Sequence, residues 1–173
     1  MQKIKYYNKS FYIWGDSVSY YKPPLYQYKI ATGIWTRVQP LGDEVGMAVN
    51  YGLCIYNHKL YSILGSWDLS NSVIEINLKS ENYELERTWI DRTGMGDTGL
   101  GYYCDENMIY LFGGTTDSGH LNTLSVLDLD KHPLQFKFLS KNMKLPSARR
   151  GHAMQVYDDK LYIYGGITDS GSK

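Results

Sequence analysis

One short segment of this 173-residue chain recurs four times, and that recurrence restricts the fold more than any other feature of the sequence. It runs Tyr7-Asn8-Lys9-Ser10-Phe11-Tyr12-Ile13-Trp14-Gly15, then Tyr56-Asn57-His58-Lys59-Leu60-Tyr61-Ser62-Ile63-Leu64-Gly65, then Asp105-Glu106-Asn107-Met108-Ile109-Tyr110-Leu111-Phe112-Gly113-Gly114, and last Tyr157-Asp158-Asp159-Lys160-Leu161-Tyr162-Ile163-Tyr164-Gly165-Gly166. Tyr12, Tyr61, Tyr110 and Tyr162 are separated by 49, 49 and 52 residues. A shared pattern at a period of about 20 to 50 residues marks a repeat architecture, in which each unit buries its apolar faces against its neighbours.

Each copy is a polar turn followed by an alternating apolar strand that ends on glycine. Asn and Asp tolerate left-handed backbone and bond to their own main chain, so the polar step is hairpin-turn chemistry joining two antiparallel strands. The first strands are expected around residues 51 to 56, 101 to 104 and 152 to 157, and the second at 60 to 65, 109 to 114 and 161 to 166. A polar loop follows each glycine, and Thr116-Asp117-Ser118-Gly119 recurs as Thr168-Asp169-Ser170-Gly171. A third alternating strand is expected at Leu25 to Ile30, Ser72 to Leu78 and Thr123 to Leu129. A fourth is anchored by one large aromatic residue: Trp35, Trp89, and Phe136 or Phe138. The 17 tyrosines suit half-buried strands, because the ring packs on a pleated face while the hydroxyl reaches water. Four short antiparallel strands per period of about 50 residues make one propeller blade. The expected class is all-β, with no helix needed.

At this point the chain resembles the kelch repeats. Gly113-Gly114 and Gly165-Gly166 are similar to the kelch glycine pair, the Tyr28 to Trp35 interval to its tyrosine-then-tryptophan spacing, and Arg150-Gly151-His152 to its strand-opening turn. The resemblance covers essentially the whole chain. It departs at Gly15-Asp16 and Leu64-Gly65, where two glycines are expected, and it leaves the register of the second repeat open. It implies a kelch-type β-propeller with blades at 1–50, 51–99 and 100–150 and the start of a fourth at 151–173. That count is short of the roughly four to eight blades of a closed ring. The chain is therefore expected to be an incomplete ring, part of a longer protein or able to pair with another open propeller, and alone to be marginally stable or self-associating. The glycines, the repeat tyrosines, Trp35 and Trp89 are expected to build the fold, with the large rings filling the wedge between blades.

Composition narrows the function. The 18 Lys+Arg balance 18 Asp+Glu without a long run of like charge, so nucleic acid is not an expected partner. No stretch approaches the roughly 20 apolar residues of a membrane helix, and Cys54 and Cys104 form no disulfide framework. A soluble, intracellular and most simply cytoplasmic protein is expected. The histidines His58, His120, His132 and His152 fall in different structural slots, no zinc spacing, nucleophile elbow or phosphate loop occurs, and Asp158-Asp159 is a solvated turn pair. No cofactor, metal or catalytic residue is assigned.

Function is then expected in the loops that propellers present to partners. The candidates are Asp16, Trp67 and Asp68, Asp117, Ser118 and His120 on the loops after the glycines, and Arg149 and Arg150 before the fourth repeat. Trp67 beside Asp68 is a pair that interfaces favour, against the alternative that Trp67 tucks onto its own loop. Arg149 and Arg150 resemble arginines with which kelch adaptors grip acidic peptides, although at least one is expected to be a structural strand opener. The reading is a non-catalytic module that binds a protein or peptide. The alternative is a sugar-handling kelch enzyme of the mutarotase or galactose-oxidase kind, or a kelch domain attached to a catalytic domain elsewhere.

Overall fold

A two-residue hairpin turn opens each of the four repeats, although in the third only Glu106, and not Asn107, has positive φ. In the computed structural model, which describes residues 3–14, 24–43, 52–63, 72–91, 101–139 and 144–172, β1 (Lys3–Tyr7) pairs with β2 (Ser10–Trp14), β5 (Gly52–Tyr56) with β6 (Lys59–Ile63), β9 (Gly101–Asp105) with β10 (Met108–Phe112), and β15 (Ala153–Tyr157) with β16 (Lys160–Tyr164). Asn8, Lys9, Asn57, His58, Asp158 and Asp159 all have positive φ, from 43° to 64°. Two successive left-handed residues match the twist of the flanking strands, which is why Asn and Asp dominate here.

Two more strands complete each of the first three sheets. The first sheet adds β3 (Leu25–Lys29) and β4 (Ile34–Val38), and the second adds β7 (Ser72–Asn77) and β8 (Leu85–Trp89). The third sheet contains β13 (Leu124–Asp128) and β14 (Phe136–Phe138). All neighbours are antiparallel. Between β10 and β13 the chain forms a small hairpin of β11 (Thr115–Thr116) and β12 (Gly119–His120), matched after β16 by β17 (Ile167–Thr168) and β18 (Gly171–Ser172). The segments expected as plain loops are thus hairpins in their own right. The described residues contain no helix long and apolar enough to cross a membrane.

The chain divides into two units, Met1–Trp89 and Ile90–Lys173. In the first, each sheet has two faces set by the alternation of side chains along its strands. Tyr12, Trp14, Leu25 and Val38 on one face of the first sheet form a core with Leu53, Leu60, Ile74 and Ile76 of the second. We call these the trailing face of the first sheet and the leading face of the second. The core of the second unit includes Ile109, Leu111, Phe112, Leu127 and Leu134.

Two expectations require correction. The second strands stop short of the glycines: β10 ends at Phe112 and β16 at Tyr164. Gly113 and Gly114 follow with φ of 70° and 94°, a backbone that turns the chain out of the strand. Trp89 also does not fill a wedge between the first two sheets, being 64% exposed, while Trp35, on the leading face of the first sheet, is 52% exposed in this chain. Both lie on the last strand of their sheets, where Trp35 rests on Tyr28 with ring centroids 4.9 Å apart and the Arg87 guanidinium covers Trp89 at 3.9 Å. Among the repeat tyrosines, Tyr12 and Tyr61 are buried, Tyr110 is half-buried and Tyr162 is exposed.

The strand pairing also settles the register of the second repeat. Tyr28 faces Trp35, Ile76 faces Leu85, and Leu127 faces Phe136. Leu85, and not Trp89, therefore occupies the place of Trp35, and Phe136 rather than Phe138 is its counterpart in the third repeat.

Candidate functional site

The second unit gathers five of the sequence-selected residues at the loop ends of its strands. Gly113 and Gly114 lead the chain from β10 into the β11–β12 hairpin, and the start of the next repeat is stitched against them. The Gly114 N–H donates to the Arg149 carbonyl (2.9 Å), the Arg149 N–H to the Leu121 carbonyl (3.0 Å), and the Leu121 N–H to the Gly114 carbonyl (2.9 Å). A Cβ on Gly113 would stand 2.4 Å from the Arg149 oxygen, so no other residue fits. In the fourth repeat Arg150 and Ile167 exchange two backbone bonds of 3.0 and 2.9 Å.

The two arginines have different roles. Arg149 spends its guanidinium inside the fold: Nη1 donates to the Gly165 carbonyl (2.8 Å), Nη2 to Ser147 Oγ (2.8 Å) and Nε to the Ser147 carbonyl (3.0 Å). It is the structural strand opener. Arg150 is exposed, and its side chain has no partner among the described residues.

Beside them stand the paired Thr-Asp-Ser-Gly turns. In the first, the Ser118 N–H donates to Thr116 Oγ1 (3.2 Å), and Thr116 Oγ1 donates to the Gly119 carbonyl (3.3 Å). These local bonds shape the turn and leave Asp117 and Ser118 facing solvent. The second turn is closed by a hydroxyl contact of 2.9 Å between Thr168 and Ser170. His120 joins the two: Nδ1 meets Thr115 Oγ1, and Nε2 lies 3.8 Å from Asp169 Oδ1. Asp169 is a member of this surface that the sequence alone did not single out, although its turn was recognised. Asp16, Trp67 and Asp68 lie outside the described residues.

The remaining histidines are dispersed. His58 Nδ1 meets the Tyr7 hydroxyl at 2.6 Å, His132 is exposed in the turn after β13, and His152 is buried against Phe112 with centroids 5.4 Å apart. Neither ring nitrogen of His152 has a partner among the described residues. Burial, helped by the charge of Arg149, pushes its pKa down to about 4. Among the described residues no three His, Cys, Asp or Glu side chains are placed to hold a metal ion.

No family model matches the chain. Over 66 residues it is 38% identical to Kelch repeat-containing protein 2 of Saccharomyces cerevisiae, an alignment covering 36% of this chain and 8% of that protein. The structure superimposes on that of YjhT, a kelch-type propeller, with a TM-score of 0.75 over 96% of this chain and 58% of that one, at 13% identity. The repeats are similar to those of kelch-repeat proteins. The fold is all-β and of the kelch β-propeller type, built from four-stranded antiparallel blades. A further relative, the leucine-zipper-like transcriptional regulator 1 homolog of Drosophila melanogaster, is 28% identical over 144 residues, or 79% of this chain and 15% of that protein. The matched residues thus span only 8% to 15% of the length of these two curated relatives.

Proposed function

We propose that this chain is a non-catalytic kelch segment that binds another protein or peptide through the loop ends of its blades. The observation that carries the reading is the adjoining pair of Thr-Asp-Ser-Gly turns, linked through His120 and Asp169, with Arg150 exposed nearby. Asp117, Ser118, His120 and Arg150 then present hydrogen-bonding groups of both charges on a rigid base, while Arg149 holds that base together. Its kelch relatives support a protein-interaction scaffold. Asp16, Trp67 and Asp68 belong to the same proposal, on the connections that follow β2 and β6. The blades that carry these loops are proposed as 1–50, 51–99, 100–150 and the start at 151–173, in a cytoplasmic protein.

Crosslinking mass spectrometry on captured complexes tests this, comparing the native chain with an Asp117→Lys, Arg150→Glu variant. Crosslinks are expected to concentrate at residues 115–120 and 149–150, and reversing both charges is expected to weaken capture about tenfold or more. Crosslinks confined to other parts of the blades, or capture that ignores the double reversal, would refute the proposal.

A further inference from the structure

The opposite ends of the strands hold a second feature, built from turns that are far apart in sequence. At the hairpin-turn end of the first two sheets lies a cavity of about 480 Å³. This is within the range of roughly 300–1,000 Å³ typical of small-molecule sites. Lys9 comes from the β1–β2 turn, Lys29 from the end of β3 and Lys79 from the β7–β8 connection, and all three line it. No carboxylate lines it, and none of the three lysines has an ion-pair partner among the described residues. Lys59, on a neighbouring strand, differs in being bound to Glu75 at 2.8 Å.

The wall is polar and ordered. Gln27, buried between the sheets, donates from Nε2 to the Tyr12 hydroxyl (2.8 Å) and to Ser10 Oγ (3.3 Å), while the Tyr83 hydroxyl donates to Gln27 Oε1 (3.4 Å). Tyr12 accepts from Gln27 and is also hydrogen-bonded to Tyr83, which closes the network. Burial first, and then the neighbouring Tyr83, push the Tyr12 pKa up to about 12, which keeps the hydroxyl proton in place. A fixed polar wall and three ammonium groups without an ion-pair partner among the described residues, around a cavity that no described carboxylate lines, make a place where negative charge is favoured.

We propose that this cavity binds a small molecule through a phosphate or carboxylate group, with Lys9, Lys29 and Lys79 neutralising the charge and the Tyr12 and Gln27 network orienting the polar remainder. The ordinary alternative is that the three lysines are solvated turn residues that share a neighbourhood. The proposal does not rest on the loop surface described above, which leaves from the other ends of the strands.

Isothermal titration of the 173-residue chain with inorganic phosphate and, separately, with citrate decides between them. Saturable binding of at least one probe is expected, weakening as salt rises, and the probe that binds names the anionic group. Lys29→Glu with Lys79→Glu is expected to weaken it about tenfold or more. Lys160→Glu, a hairpin-turn lysine outside the cavity, is expected to leave binding and the far-ultraviolet circular dichroism unchanged. In the native chain, the side-chain amide resonances of Gln27 are expected to shift on titration. Absence of saturable binding with both probes, equal weakening by Lys160→Glu, or an unmoved Gln27 amide would overturn the proposal.

Discussion

The leading faces of the first and second sheets occupy the same positions of the repeat and meet different fates. In the second sheet Leu60, Ser62, Ile74 and Ile76 lie under the first sheet and are almost fully buried. Their counterparts in the first sheet by strand pairing are Phe11, Ile13, Tyr26 and Tyr28, which are only half-buried, with Ile4, Tyr6 and Trp35 exposed around them. Where a neighbouring sheet covers the slot, compact aliphatic side chains fill it. In the first sheet the same slots hold Phe11, Ile13, Tyr26 and Tyr28, half-buried in this chain, and water can satisfy the two tyrosine hydroxyls. A repeat therefore specifies the backbone, and the neighbour specifies which apolar side chain suits each slot. An aromatic sheet face of this kind on the surface also favours association.

Truncation at equivalent slots breaks or sustains this contrast most directly. Leu60→Ala is expected to cost about 2–5 kcal/mol in urea unfolding, because a fully buried side chain leaves a cavity. Phe11→Ala, at the same place in the first sheet, is expected to cost about 1–2 kcal/mol despite the larger side chain. Equal losses would show that the first sheet is as well covered as the second.

Glycines provide the next largest difference. Gly33 and Gly113 share a left-handed φ near 70°, but a Cβ on Gly33 meets nothing nearer than the Tyr28 hydroxyl at 3.9 Å, whereas on Gly113 it strikes the Arg149 backbone. Gly33→Ala should cost about 1 kcal/mol for the torsion alone, and Gly113→Ala about 2–3 kcal/mol once the clash is added. Thermal melts of the two variants against the native chain measure the gap, and a Gly33 variant as damaged as the Gly113 variant would end the distinction.

A covered slot with a titrating group responds to acid. His152 binds a proton less readily folded (about 4) than in the open chain (6.5), so the unfolded state holds more protons between those values. Stability should be complete above pH 6.5 and fall as pH drops, by about 2 kcal/mol at pH 5. His152→Leu is expected to flatten that part of the profile in urea titrations at pH 7 and pH 5, and a slope that persists would assign the acid sensitivity to other groups.

The smallest effect on stability belongs to the open face. Trp35→Gln should change it by no more than about 0.5 kcal/mol. The same substitution should nevertheless reduce concentration-dependent self-association in light scattering, because it removes apolar area from the exposed sheet face. A native chain that scatters as a monomer at every concentration would contradict this.

Much of the fold was legible because it is carried by local chemistry repeated four times. Asn8, Asn57 and Asp158 announce their hairpins, and Tyr12 and Tyr61 mark buried strand centres. The register of the second repeat was not legible, since Trp89 has the right residue type in the wrong place. The connection 78–84 is longer than its counterpart 30–33 and displaces the fourth strand along the sequence. Exposure of the tryptophans depends on what covers the outer strands, which local sequence does not encode. At the loop site, the twin turns and Arg150 were visible from repetition and residue type, whereas the bracing role of Arg149 needs the Gly165 carbonyl, a tertiary partner. The lysine-lined cavity escaped notice for the same reason: Lys9, Lys29 and Lys79 form no charge run, and only pairing of the strands assembles them.

The shared two-residue hairpins bear on the order in which the chain acquires structure. Each joins residues that are close neighbours in sequence, so little loop-closure entropy stands against it, and isolated hairpins form in about 1–10 μs. Pairing β3 with β2, or β7 with β6, must first close a longer stretch of chain and follows more slowly. Local nuclei of this kind, spaced one repeat apart, allow assembly to start at more than one of them. As the polypeptide emerges from a ribosome, the β5–β6 hairpin offers an apolar strand pair onto which the first sheet can close, so within the first unit synthesis and sheet stacking proceed in the same direction.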